Sequence, residues 1–379
     1  MSTFDIVVVG CGGGPDETNL SAYLLKPHDT TWKDGIIALE AGSAQGALSR
    51  LLQENPLLFE SPDKVAPNRF SASEIYSFVR CFLITHAHLD HVNGLAISAG
   101  SLAGPRKRVY AMKQTLENLE SIFSDRIWPN LASWDEEDDD NKLLYCMLRN
   151  DNLYKTIYPG ISVRTIALNH GRNQTGNYES AAFFIRHDLH NREFIFFGDV
   201  EPDTVAARPQ TINVWRAAAP KIPQKLSAIF IECSWPSGRH EDILYGHLSP
   251  EHLVDELTAL AIEVVKFRSG GLPIIRPGPP RKKKKKNPIS QDDLRGTLDG
   301  IRIYVMHCKD DMNGDSVKSM RHIIVPQVRD LVEEKGLGAQ ILVVEPGMHI
   351  STSSVSFGFR LIYHKELDSP YTPSKTQKI

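Results

Sequence analysis

Three imidazoles and a carboxylate, in the run His86-Ala87-His88-Leu89-Asp90-His91, directly follow the apolar stretch Arg80 to Thr85. Few folds can accommodate that. The stretch reads as a buried strand, and an apolar strand end offers few hydrogen-bond partners, so desolvating these four groups is costly unless something binds them. A metal does. In an extended segment His86 and His88 project to the same side and can share one ion, while Asp90 and His91, past the turn, can reach a second. Imidazole and carboxylate without thiolate suit hydrolytic zinc, with manganese or iron as substitutes.

Two ions need further ligands, and other strand ends supply them. His170 follows the predicted strand Ser162 to Leu168 and can complete the first set. Asp199 follows Glu193 to Phe197 and can bridge both ions through its two oxygens. His307 ends the strand Ile301 to Met306 and can complete the second set, although His247 could take that place. All of these lie at the carboxyl ends of strands, where loops of an open α/β sheet converge on one site.

Further strands are expected at Phe4 to Val9, Gly35 to Glu40, Ala181 to Arg186, Ser227 to Glu232 and Gln340 to Val344. Two helices are signalled, one starting at Ser249-Pro250-Glu251 and one over Ser316 to Lys335, with Gly336 placed to end it and Pro326 inside it. Short strands alternating with helices predict a layered α/β fold. After the first strand, Gly10-Cys11-Gly12-Gly13-Gly14-Pro15 resembles a dinucleotide loop, but Pro15 stands where the third glycine is required. It reads as a tight strand-to-strand turn.

Residues 1–379 are expected to form a single domain with insertions at about 102–160, partly helical and acidic, and at about 268–298, lysine-rich. Asp135 to Asp140 and Arg281 to Lys286 are like-charge blocks, which repel and so belong in exposed loops. The lysine block also resembles a nuclear-import signal, which would add nuclear access to a cytoplasmic address. That address follows from five scattered cysteines without a C-x-x-C pair and an amino terminus without a basic n-region. A net charge of −3 argues against nucleic acid as a partner, and no apolar run suits a membrane span.

The remaining histidines (His28, His187, His190, His240, His252, His322, His349, His364) lack the strand-end pattern and read as exposed, His349 being placed near the site. Trp32, Trp128, Trp134 and Trp215 read as core. Trp235 is the aromatic best placed to contact a ligand.

The H-x-H-x-D-H run, the later histidine, the Gly-Asp step and the final histidine together resemble the metallo-β-lactamase superfamily. Within it, His86 to Leu95, Gly10-Cys11-Gly12-Gly13-Gly14-Pro15-Asp16-Glu17-Thr18-Asn19, Glu232-Cys233-Ser234, Tyr245-Gly246-His247-Leu248-Ser249-Pro250 and Tyr304-Val305-Met306-His307 resemble the class II cyclic-nucleotide phosphodiesterases, the low-affinity cAMP type. The resemblance implies an αββα sandwich with two divalent ions between its sheets. It also implies hydrolysis of 3′,5′-cyclic AMP, with cyclic GMP as a second substrate, to the 5′-monophosphate in cyclic-nucleotide signalling.

Related RNA 3′-end phosphodiesterases carry a Glu-His pair beside the metals. Glu232 and His247 resemble that pair, which leaves His307 as the better ligand. The metal set is then His86, His88, Asp90, His91, His170, Asp199 and His307, with Asp90, Glu232 and His247 acting in catalysis. An RNA 3′-end phosphodiesterase, an arylsulfatase, a thioester hydrolase and a non-catalytic cyclic-nucleotide scaffold stay open as alternatives, because fold alone does not choose among them. A monomer and a homodimer are equally compatible with the sequence.

Overall fold

A computed structural model describes residues 2–60, 69–174, 176–270, 288–310 and 319–353. The first sheet takes β1 (Ser2–Gly10), β2 (Ala22–Pro27), β3 (Ile36–Leu39), β4 (Val79–Leu83), β5 (Lys107–Met112), β6 (Ala132–Ser133) and β7 (Leu143–Leu148). The second takes β8 (Lys155–Tyr158), β9 (Ile161–Asn173), β10 (Gly176–His187), β11 (Arg192–Phe197), β12 (Leu226–Glu232), β13 (Arg302–Met306) and β14 (Gln340–Val343). The last strand, β15 (His349–Ser353), returns to pair with β1 at the edge of the first sheet.

Alternation along these strands builds the layers. Phe4, Ile6 and Val8 of β1 turn into the space between the sheets, where they meet Phe183, Phe194, Phe196, Phe230 and Tyr304. Val7 and Val9 turn outward beneath α1 (Gln45–Glu54), α2 (Ala72–Ser77), α3 (Leu89–Ser98) and α4 (Lys113–Ile122). On the far side Ile195, Phe197, Ile229 and Ile231 face α5 (Thr211–Ala218), α6 (Pro250–Arg268), α7 (Gln291–Leu294) and α8 (Arg321–Lys335). The result is the αββα sandwich. Each phenylalanine buried in its middle layer contributes roughly 1.5–3 kcal/mol.

Strand direction decides where the chemistry falls. β10 is antiparallel to both β9 and β11, and β11, β12 and β13 are mutually parallel, so β9, β11, β12 and β13 end at one edge of the sheet.

Several expectations need correction. The segment 102–160 carries α4 and also supplies β5, β6, β7 and β8 to the two sheets. Its acidic tip does lie largely exposed, with Glu136 paired to Arg108. The second predicted helix is described only over Arg321–Lys335, contains Pro326, and ends at Gly336 with a left-handed φ of 66°. Arg281 to Lys286 and His364 lie outside the described residues. His187 is buried at 5% exposure against Phe4, and Trp128 and Trp134 are exposed rather than core.

Candidate metal centre

The residues picked out in the sequence meet at the common strand edge. His86, His88, His170 and Asp199 form one group whose ligand atoms lie within 4.8 Å of one another, and Asp90, His91, Asp199 and His307 form a second. Asp199 belongs to both. Its Oδ2 lies 3.6 Å from His86 Nε2 and 3.5 Å from His170 Nε2, while its Oδ1 lies 3.3 Å from both His91 Nε2 and His307 Nε2. Asp90 Oδ2 is 3.1 Å from His307 Nε2.

Local structure explains the placement. β4 delivers His86 and His88, and α3 begins immediately after His88, so Asp90 and His91 sit on its first turn, where an acid suits the helix dipole. Asp199 and His307 follow β11 and β13 as expected. His170 lies within β9 rather than beyond it. Asn177 pairs with Arg172 but Glu179 pairs with Asn169, so His170 and Gly171 together oppose Tyr178. Such a bulge re-aims side chains, and the φ of +76° at Gly171 fits it.

Three of the ligand imidazoles are hydrogen-bonded from behind, and a fourth faces a carboxylate. His170 Nδ1 donates to the Gly246 carbonyl at 2.8 Å, and Thr85 Oγ1 lies 3.1 Å from His86 Nδ1. His91 Nδ1 faces Glu40 Oε2 at 3.5 Å. His307 Nδ1 lies 3.0 Å from Ser234 Oγ, which itself donates to Glu232 Oε2 at 2.7 Å and so accepts from the imidazole. The hydrogen bonds orient the His86, His170 and His307 rings and turn their opposite nitrogens inward.

Ring nitrogens brought this close together can share a cation. His91 Nε2 and His307 Nε2 stand 3.0 Å apart, and His170 Nε2 and His88 Nδ1 3.1 Å apart. His86 Nε2 is buried with no hydrogen-bond partner among the described residues. A buried polar atom without a partner is costly. The donor set therefore fits divalent metal ions.

The charge balance agrees. Burial pushes His170 down to about 3 and holds His86 well below the ordinary range. Burial acts against charge on Asp199 and Asp90 too, yet the neighbouring histidines outweigh it and keep both below the ordinary carboxylate value. For His91 burial is outweighed by Asp199, Asp90 and Glu40, which hold it well above. Anionic carboxylates beside imidazoles that burial keeps neutral at His86 and His170 make a centre that draws positive charge.

Glu232 and His247 form the expected pair. His247 Nδ1 donates to Glu232 Oε1 at 3.0 Å, and the same oxygen accepts from the Val200 amide at 2.9 Å. The His247 ring stacks 5.3 Å from that of His307, and Nδ1 is 3.8 Å from Asp199. His307, not His247, joins the group of Asp90, His91 and Asp199.

Three contributors escaped sequence reasoning. Glu40, fully buried with φ 57°, accepts from the Thr85 amide and backs His91. Its only signal was an acid ending a predicted strand. Ser234 links Glu232 to His307. Gly13, in the loop read as a tight turn, is pressed under the His307 ring, where an added Cβ would stand 2.5 Å from Cε1. His349 is exposed, but its neighbours are Asp5 and Trp32 rather than the metal ligands.

An αββα sandwich carrying paired His/Asp groups at the carboxyl edge of its strands defines a metallohydrolase of the metallo-β-lactamase type. Residues 9–347 match the family model for class-II cAMP phosphodiesterases, and the chain belongs to that family. It is 33% identical over 273 residues to the 3′,5′-cyclic-nucleotide phosphodiesterase of Schizosaccharomyces pombe, covering 68% of this chain and 75% of that one. It is 25% identical over 390 residues to 3′,5′-cyclic-nucleotide phosphodiesterase 1 of Saccharomyces cerevisiae, covering 89% and 96%. The crystal structure of unliganded yeast PDE1 superposes with a TM-score of 0.72 at 24% identity, over 92% of this chain and 99% of that one. The protein is thus a phosphodiesterase of cyclic nucleotides with a divalent-metal site.

Proposed function

We propose that the centre holds two zinc ions, one on His86, His88 and His170 and one on Asp90, His91 and His307, with Asp199 shared, and that it converts cAMP, and cGMP beside it, to the 5′-monophosphate. The observation that carries this reading is the division of Asp199, one oxygen toward each group. Two bound cations supply Lewis acidity and a low-pKa water at neutral pH.

The chain's own residues do the rest. Asp90 and Asp199 set the negative charge of the centre, and Glu40, Ser234 and the Gly246 carbonyl hold the imidazoles in place. Attack of a water oxygen on phosphorus breaks the P–O3′ bond, and the departing O3′ needs a proton. His247, oriented by Glu232 and packed beside both His170 and His307, is the donor. The reading extends to a cytoplasmic location, supported by five cysteines that all stand as free thiols.

A product assay tests it. Metal-loaded protein should release 5′-AMP from cAMP, chelation should stop it, and zinc analysis should return two equivalents per chain. Turnover untouched by chelation, or a single equivalent at full activity, would overturn the reading.

A further inference from the structure

Resting on the cyclic-nucleotide reading of this site, we propose that Tyr178 is the platform on which the substrate's nucleobase stacks. Tyr178 is 39% exposed. Its ring centroid lies 4.9 Å from that of His88 and 6.4 Å from that of His170. It therefore stands directly beside the first metal group.

The bulge that aims His170 inward also fixes this neighbour. His170 and Gly171 oppose Tyr178 across the β9–β10 pair, so the ligand and the aromatic are set by one backbone feature. The planes of Tyr178 and His88 meet at 73°, an edge-to-face contact. Such a pair leaves at least one face of the tyrosine uncovered by imidazole, available to a flat ligand.

The substrate's shape matches. In a 3′,5′-cyclic nucleotide the phosphate is fused to the ribose, so a phosphorus held at the centre carries the base outward by one sugar's width onto the rim. Bases stack on aromatic rings whatever their identity, because each presents a π-face.

Trp235, the aromatic singled out in the sequence, is already engaged. The Arg239 guanidinium lies 3.5 Å from its ring centroid, and its indole N–H donates to the Leu244 carbonyl at 2.9 Å. Its donor and one of its faces are both used and its ring lies 6.5 Å from that of His247, whereas the Tyr178 ring is exposed and lies 4.9 Å from that of His88.

Stacking of this kind supplies affinity without selecting the base. Tyr178→Leu should therefore raise KM for cAMP and for cGMP alike, by about tenfold. kcat should stay unchanged, as for a contact made equally in ground and transition states. Tyr178→Phe and Tyr178→Trp should behave as wild type. Hydrolysis of the 1-O-methyl riboside 3′,5′-cyclic phosphate, which has no base, should be indifferent to all three changes.

An unaltered KM in Tyr178→Leu, a matching loss in Tyr178→Phe, or an equal loss on the base-free substrate would overturn the stack while leaving the phosphodiesterase reading standing. Failure of the wild-type chain to hydrolyse cAMP would instead overturn that reading and the stack with it.

Discussion

At one pole of the sandwich six histidines and Asp90 crowd around Asp199, Glu232 and Ser234; at the other, Asp29, His187 and His190 bring the same side-chain types within 4.8 Å of one another. β10 joins the two poles. It runs from Tyr178 at the active end to His187 at the far end, about 30 Å at the usual strand rise. The two clusters differ in what stands behind the imidazoles. At the active pole Thr85, Gly246 and Ser234 hydrogen-bond the outward nitrogens of His86, His170 and His307, while His91 Nδ1 has the Glu40 carboxylate 3.5 Å away without a hydrogen bond. At the far pole His187 Nδ1 is buried with no hydrogen-bond partner among the described residues, while Asp29 and His190 are exposed. The active-pole groups are thus mostly buried and hydrogen-bonded from behind, whereas the far group is mostly exposed.

The sharpest way to break that comparison is to remove one carboxylate at each pole. Asp199→Ala should lower kcat/KM at least about a thousandfold, close to 4 kcal/mol of barrier, and strip metal from the protein. Asp29→Ala should leave metal content and turnover at wild-type levels. Metal analysis and initial rates on both variants decide it, and loss of a metal equivalent in Asp29→Ala would erase the contrast.

A smaller effect isolates the backing residues. Glu40→Gln keeps the shape but withdraws the charge facing His91, and should reduce metal affinity or activity by about 10- to 100-fold. Competition with a chromogenic chelator measures this directly. An unchanged affinity would show that the carboxylate behind His91 contributes nothing to its grip.

How much of this was readable beforehand varies with how local each constraint is. The His86 to His91 run declared itself because strand, turn and ligands are consecutive, and Asp199 and His307 were legible as residues that follow strands; His170 was picked on the same ground but sits at a bulge inside β9. Glu40 was not, because its task depends on a left-handed backbone turn and on an imidazole fifty residues away in sequence only by accident of folding. Gly13 looked like turn chemistry, whereas the His307 ring is what forbids a side chain there. β2 was missed because Lys26 interrupts its apolar pattern; in the fold that lysine is buried against Asp5 at 2.7 Å. His187 read as exposed because a hairpin turn follows it, and in the fold the rings of Phe4 and His190 pack against it.

The smallest expected effect concerns acid. In metal-free protein His170 titrates at about 3 against an ordinary 6.5, so between those values the unfolded chain binds the extra proton and the folded one does not. Its contribution is complete above about pH 6.5 and is lost as pH falls through that window. Burial lowers His187 in the same direction but less far. Denaturant midpoints of chelated protein at pH 7 and pH 5 should therefore converge more in His170→Gln than in His187→Gln. Equal convergence would mean that the two poles bury their histidines alike.

The grip of the first strand on the last ligand has a consequence for how such a centre comes into being. The His307 amide donates to the Cys11 carbonyl at 2.6 Å, and Gly12 bridges Cys308 beside it. During synthesis every member of the first ligand group leaves the ribosome well before His307 does. A nascent chain can thus furnish one complete cation pocket while the other still lacks a wall. The amino-terminal strand then waits with an open carbonyl for the segment that seals it.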